Sequence, residues 1–215
     1  MKRRNNYPLA DDGWKFFLPV LVIGILCLLI FPIAGFLLLV LAAFLAFFFR
    51  NPIRIIPSEP DLFVAPADGK VLAVQKKEDS DLGESISVTI FLSIFNVHVT
   101  KSPLSGKIKD IEYHHGKFIN ALNEKSSDEN EHNIITIEGE NTTVKVKQIA
   151  GIIARRIVNF KRKGAPVKKG EDLGLIRFGS RVELLLPAGE ATVLVKPGNK
   201  ILGGQTPVLK FHKNA

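Results

Sequence analysis

The 215-residue chain reads as an all-β barrel or sandwich preceded by an N-terminal apolar helical hairpin. Three observations predict this. Between Val64 and Phe211, β-branched or alternating runs recur, each bounded by turn residues. Phe16 to Phe49 spans 34 residues without one charge. Asn51 to Pro60 carries Pro52, Pro57 and Pro60 and reads as a stiff linker. The expected organisation is a membrane-associated hairpin over 1–50, a linker over 51–60 and a β-rich domain over 61–215.

The apolar run exceeds the ~20 residues of one spanning helix, but Phe31-Pro32-Ile33-Ala34-Gly35 interrupts it. Its halves, Phe16–Phe31 and Gly35–Phe49, are each roughly 23 Å long as helices, against a hydrocarbon core of ~30 Å. The tip between them is apolar. Lys2, Arg3, Arg4 and Lys15 precede the run, and Arg50 and Arg54 follow it. Positive charge on both flanks places both ends in the cytoplasm, with the hairpin inserted deeply or barely spanning. A cleaved secretory signal fits less well, because its apolar core is only about 7–15 residues long. The expected location is the cell membrane, with the β-domain on its cytoplasmic side.

The predicted strands are Val64–Gln75, Ser85–Leu92, Asn96–Thr100, Gly106–His114, Asn133–Ile137, Thr142–Ile149, Leu173–Phe178, Arg181–Leu186, Thr192–Val195 and Pro207–Phe211. The polar stretch Asn120–Asn133 reads as a loop or short helix. Turns at Ser105-Gly106, Lys169-Gly170 and Pro197-Gly198 resemble those of lipoyl/biotinyl-like β-folds, where glycine joins short antiparallel strands. That likeness carries a rival function: a non-enzymatic, membrane-anchored adaptor or carrier. A carrier needs a modifiable lysine at a hairpin tip, usually beside methionine or alanine, and no lysine here has that context.

Cys27 is the single cysteine, so neither a disulfide framework nor a Cys-based zinc site is expected. His114-His115 and His132 have no carboxylate at a recognised ligand spacing, and no metal is expected. The net charge is +8. From Asn141 to Gly170 there are nine Lys or Arg and no Asp or Glu. Against an anionic lipid surface each such charge contributes about 1 kcal/mol. Nucleic acid is the poorer partner, because the stretch has only Phe160 as an aromatic and the chain has no nucleic-acid motif.

The pair Gly179-Ser180 carries the most chemistry. A serine hydroxyl directly after glycine can attack the glycine carbonyl where the backbone bends, and glycine tolerates such a bend. The bland reading is a β-bulge. Six segments together go beyond it: Ala65-Pro66-Ala67-Asp68-Gly69-Lys70, Asn96-Val97-His98-Val99-Thr100-Lys101-Ser102-Pro103, Gly116-Lys117-Phe118-Ile119-Asn120-Ala121, Glu129-Asn130-Glu131-His132-Asn133, Gly151-Ile152-Ile153-Ala154-Arg155-Arg156 and Phe178-Gly179-Ser180-Arg181. In this order, from about Pro57 to Lys210, they resemble phosphatidylserine decarboxylase in its short form. Longer forms usually read Leu-Gly-Ser-Thr at the last segment.

The resemblance implies a proenzyme that cuts itself between Gly179 and Ser180, converting Ser180 into a pyruvoyl cofactor. That group forms a Schiff base with the serine head of phosphatidylserine and accepts electrons as CO2 leaves, yielding phosphatidylethanolamine. It implies catalytic roles for Ser180, His98 and Asp68: nucleophile, base and the group orienting the base. Arg155 and Arg156 are candidates for the lipid phosphate, since guanidinium binds phosphate in a fork. The Glu129–Asn133 stretch is a candidate pocket wall. Longer forms often carry a second histidine three positions before the first. Here that position is Phe95, so His98 is expected to serve twice, as base and later as proton donor. The implied partners are phosphatidylserine, an anionic membrane surface and the two product chains, Met1–Gly179 and Ser180–Ala215, with each other. A homo-oligomer stays open.

Overall fold

The computed structural model describes residues 8–123, 125–152, 156–177, 180–189 and 191–212. They form two compact units, 1–53 and 54–215. In the first, helix α1 (Trp14–Ile30) and helix α2 (Pro32–Phe48) pack on each other. Proline is tolerated in a helix's first turn, where its missing N–H has no partner to lose, so Pro32 starts α2 directly after the extended Phe31. The helices approach closely at Gly35, where a Cβ would lie 2.4 Å from the Leu28 backbone. Their open ends are tied together. Ala10 N–H donates to Phe49 O at 2.8 Å, and the Phe16 and Phe49 rings stack at 5.6 Å. Leu29, Ile30 and Ile33 at the turn are widely exposed. Among the described residues, no helix is long and apolar enough to cross a membrane.

The second unit is mostly β. Its elements in chain order are β1 (Leu62–Val64), β2 (Gly69–Asp79), β3 (Gly83–Leu92), β4 (Val99–Lys101), β5 (Gly106–His114), α3 (Ser126–Glu129), β6 (His132–Gly139), β7 (Thr143–Ala150), β8 (Ile157–Asn159), β9 (Pro166–Val167), β10 (Asp172–Ile176), β11 (Ser180–Pro187), β12 (Ala191–Val193), β13 (Lys200–Ile201) and β14 (Pro207–Phe211). Eight strands form one antiparallel sheet in the order β13-β2-β3-β11-β7-β6-β5-β9. It curls into a half-barrel; β13 and β9 end the order, so a closed barrel is not what forms. Two three-stranded sheets, β1-β14-β12 and β4-β10-β8, complete the unit.

Alternation sets the faces. Val88, Ile90 and Leu92 on β3, Val182, Leu184 and Leu186 on β11, and Val144 and Val146 on β7 fill one core. The register Val182↔Gln148 and Asn133↔Gln148 puts two amides on that same apolar face. Both are fully buried, and both are hydrogen-bonded. Asn133 Nδ2 donates to Gln148 Oε1 at 2.8 Å, and Gln148 Nε2 donates to Thr100 Oγ1 at 2.7 Å. Thr100 Oγ1 donates to Gly174 O at 3.1 Å, and Asn133 Nδ2 also donates to Asn159 Oδ1 at 2.8 Å. This chain ties β4, β10 and β8 to the large sheet. Gln148→Leu keeps the volume but removes both links. It is expected to destabilise the fold by about 1–3 kcal/mol, since buried polar partners are left unpaired, read as a lowered thermal midpoint.

The predicted run Val64–Gln75 is two strands, because Ala65–Asp68 forms a turn between β1 and β2. Gly69 lets β2 begin hard against β3: a Cβ there would meet Phe91 O at 2.2 Å. Strands β8, β9 and β13, of two or three residues, were not expected from the pattern. Arg54, one of the positive charges that flank the apolar run, has a side chain only 12% exposed.

Candidate active site

β11 is the central strand of the large sheet, and Ser180 is its first residue. It pairs with Leu92, the last residue of β3, on one side and Ala150, the last of β7, on the other. Both neighbours run antiparallel to β11, so the two strands end where it begins. Two residues further on, at the same end, each carries an exposed apolar side chain, Ile94 and Ile152. Phe95, beside Ile94, is 66% exposed.

Backbone contacts locate the segments that carry the expected catalytic residues. Gly69 and the end of β3 are in contact, so Asp68 lies at the Ser180 end of the sheet. Lys101 N–H donates to Pro66 O at 2.8 Å, which joins β4 to the Asp68 turn. Ile176 N–H donates to His98 O at 3.2 Å, setting His98 beside the strand that leads to Ser180. Asp68, His98 and Ser180 are all buried.

Each is held differently. Asp68 Oδ2 accepts from Arg54 Nη2 at 2.6 Å, and Oδ1 accepts from the Gly203 N–H at 2.8 Å. His98 Nδ1 lies 2.9 Å from Asn96 O. A carbonyl only accepts, so the ring hydrogen sits on Nδ1, and Nε2 is the nitrogen left with a lone pair in the neutral ring. Asn96 O thus favours this tautomer. Ser180 Oγ is fully buried and, among the described residues, has no hydrogen-bond partner. Leaving a buried hydroxyl unpaired costs about 1–3 kcal/mol. The structure therefore does not use this oxygen for its own stability.

On the far side of β7 the same end carries a polar cluster. Glu131 N–H donates to Lys117 O, and Glu131 O accepts from Ala150 N–H at 2.9 Å. Tyr113 donates a short hydrogen bond to Glu131 Oε1. Burial and then this carboxylate push the Tyr113 hydroxyl up to about 12, with Arg156 pulling the other way. The phenol therefore stays protonated at neutral pH. His114 and His132 stack at 4.7 Å. Burial, with Lys147 and His114 adding to it, holds His132 below its usual range. Among the described residues, no group of three or more His, Cys, Asp or Glu is placed to hold a metal ion.

Of the remaining candidates, Arg156 is exposed. Gly179 and Arg155 lie outside the described residues. The sequence reading missed Arg54, Asn96, Gly203, Tyr113 and the Gln148 amide. Only Gln148 had a visible signal: it falls in alternation with the apolar Val144 and Val146 of the same strand, where a polar side chain must be buried and bonded.

The family model described as phosphatidylserine decarboxylase matches residues 41–209. The chain belongs to that family. A protein of Azorhizobium caulinodans named phosphatidylserine decarboxylase proenzyme is 42% identical over 212 residues, covering 95% of this chain and 89% of its own length. One of the same name from Burkholderia vietnamiensis is 40% identical over 213 residues, covering 94% and 96%.

Proposed function

We propose that the chain is a pyruvoyl-dependent phosphatidylserine decarboxylase, made as a proenzyme that cleaves itself between Gly179 and Ser180. The observation that carries this is the buried Ser180 hydroxyl at the head of an inner strand, without a hydrogen bond among the described residues. Family membership and the names of the relatives support it.

Maturation starts when His98 Nε2 takes the Ser180 hydroxyl proton, its ring held from behind by Asn96 O. The oxygen attacks the Gly179 carbonyl carbon. An ester forms, the peptide C–N bond breaks and the Ser180 nitrogen becomes a free amine. Loss of the Ser180 α-proton expels the Gly179 carboxylate and leaves dehydroalanine. Water then releases ammonia and leaves the pyruvoyl group. When present, that group supplies a ketone that condenses with the substrate amine and takes up the electron pair as CO2 departs.

The protein's own residues do the rest. β11 stays bonded between β3 and β7, so the 36-residue product chain Ser180–Ala215 keeps its place after the cut. His98 holds a proton for return to the product. Phe95 takes no part in proton transfer. Arg156, with Arg155 as the second candidate, receives the lipid phosphate at the Tyr113 side of the site. Purified protein given phosphatidylserine vesicles labelled in the serine carboxyl should release labelled CO2 and form phosphatidylethanolamine. Absence of release from fully split protein would count against the assignment.

The substrate lies in a bilayer, and two features suit the protein to that surface. The first is the apolar exterior of α1 and α2, seated at the membrane with both ends cytoplasmic. The second is the pair of apolar tips at the Ser180 end, Ile94–Phe95 and Ile152. Burying one such side chain contributes about 1.5–3 kcal/mol. The double variant Ile94→Ser, Ile152→Ser is expected to lower kcat/KM on vesicles about tenfold or more. Its rate on a soluble short-chain phosphatidylserine should be unchanged. Equal losses on both substrates would place these side chains in the chemistry instead.

A further inference from the structure

We propose that Arg54 is a positioning residue for maturation: its guanidinium, through the single Nη2–H bond to Oδ2, aims the Asp68 carboxylate at the self-cleavage site. This rests on the maturation reading above and goes beyond it.

The geometry is specific. Arg54 Nη2 lies 2.6 Å from Asp68 Oδ2, with side chains 12% and 8% exposed. The opposite oxygen, Oδ1, is taken by the Gly203 N–H at 2.8 Å. The two donors approach the carboxylate from different segments, one before β1 and one after β13, and together they fix its plane. Arg54 is the first residue of the β unit, directly after Ile53. It lies in the Pro-rich 51–60 stretch, where its side chain is held by a partner further along the chain. Here the holding partner is the carboxylate implicated in catalysis.

Stability alone does not account for the pair. Burying a guanidinium and a carboxylate costs several kcal/mol per ion, and an apolar pair of similar volume is often as stable. Nor is Arg54 fully satisfied. Its Nε is buried and, among the described residues, has no hydrogen-bond partner. A pair selected for stability would be expected to close that bond. What the arrangement does secure is the direction of Asp68 beside the turn that Lys101 joins to the His98 strand. Lysine would keep the charge but present it as a compact, strongly hydrated ammonium on a flexible stem in place of a rigid planar donor, so it is not equivalent at this buried contact.

The test follows conversion of the newly made full-length chain by intact mass, reading the rate at which the 36-residue fragment appears. Wild type and Ser180→Ala come first. If wild type does not split, the maturation reading itself fails. If it does, Arg54→Gln is expected to slow conversion about tenfold or more, as for loss of one partner of a buried charge pair. Arg54→Lys is expected to lie between Arg54→Gln and wild type, and added guanidinium should speed an Arg54→Ala protein. On an Asp68→Asn background, Arg54→Gln should slow conversion no further, since the two side chains act as one unit. Should Arg54→Gln not accumulate as folded protein, Arg54→Lys decides: conversion slowed about threefold or more at an unchanged thermal midpoint supports the proposal. Wild-type conversion in Arg54→Lys or Arg54→Gln, or equal slowing by Arg54→Gln with and without Asp68→Asn, overturns it.

Discussion

Ser180→Ala is expected to remain one chain of 215 residues and to release no CO2 from phosphatidylserine. The substitution removes one oxygen, and it does so at a site where that oxygen makes no hydrogen bond among the described residues. Alanine fits the same pocket and leaves no donor or acceptor unpaired. Stability should therefore be equal to wild type or slightly higher. That combination, an intact or improved fold with complete loss of both cleavage and activity, separates a chemical role from a structural one. Splitting of the variant at the same bond would mean that a different nucleophile acts.

His98→Ala carries the next largest effect. His98 is buried and its Nδ1 is committed to Asn96 O, so its working nitrogen is Nε2. General-base catalysis contributes about 10²–10⁴-fold. Conversion should slow by about that factor, and added imidazole should restore part of it by entering the vacated volume. His98→Gln is a useful companion, because it can keep the bond to Asn96 O but cannot accept the serine proton and pass it on. Both variants should be similarly slow. A fast glutamine variant would show that His98 only orders the loop.

The parts of this molecule that were legible in the sequence are those set by local pattern. Alternation of β-branched residues marks Ser85–Leu92 and Arg181–Leu186 within a few residues of β3 and β11. Pro32 marks the break between α1 and α2. Strand order was not legible. β11 inserts between β3 and β7, which end about 90 and 30 residues before it begins, and no local signal specifies such pairing. The short strands β8, β9 and β13 fall below the length at which a period of two can be read.

The site divides in the same way. Asp68, His98 and Ser180 could be named because their neighbours form recognisable segments. Their supports were not, because support comes from backbone atoms and distant side chains. Asn96 acts through its carbonyl, which its residue type does not reveal. Gly203 acts through its N–H, 135 residues from Asp68. Arg54 stood out only as a positive charge after an apolar run; the carboxylate it pairs with lies 14 residues away.

The most direct measurement is the intact mass of the purified wild-type protein, combined with a test for a free N-terminal amine on each fragment. The account predicts two chains, Met1–Gly179 and a 36-residue Ser180–Ala215 fragment that lacks an N-terminal amine and carries a ketone. A single uncleaved chain in active protein, or a short fragment beginning with an unmodified serine amine, would contradict it.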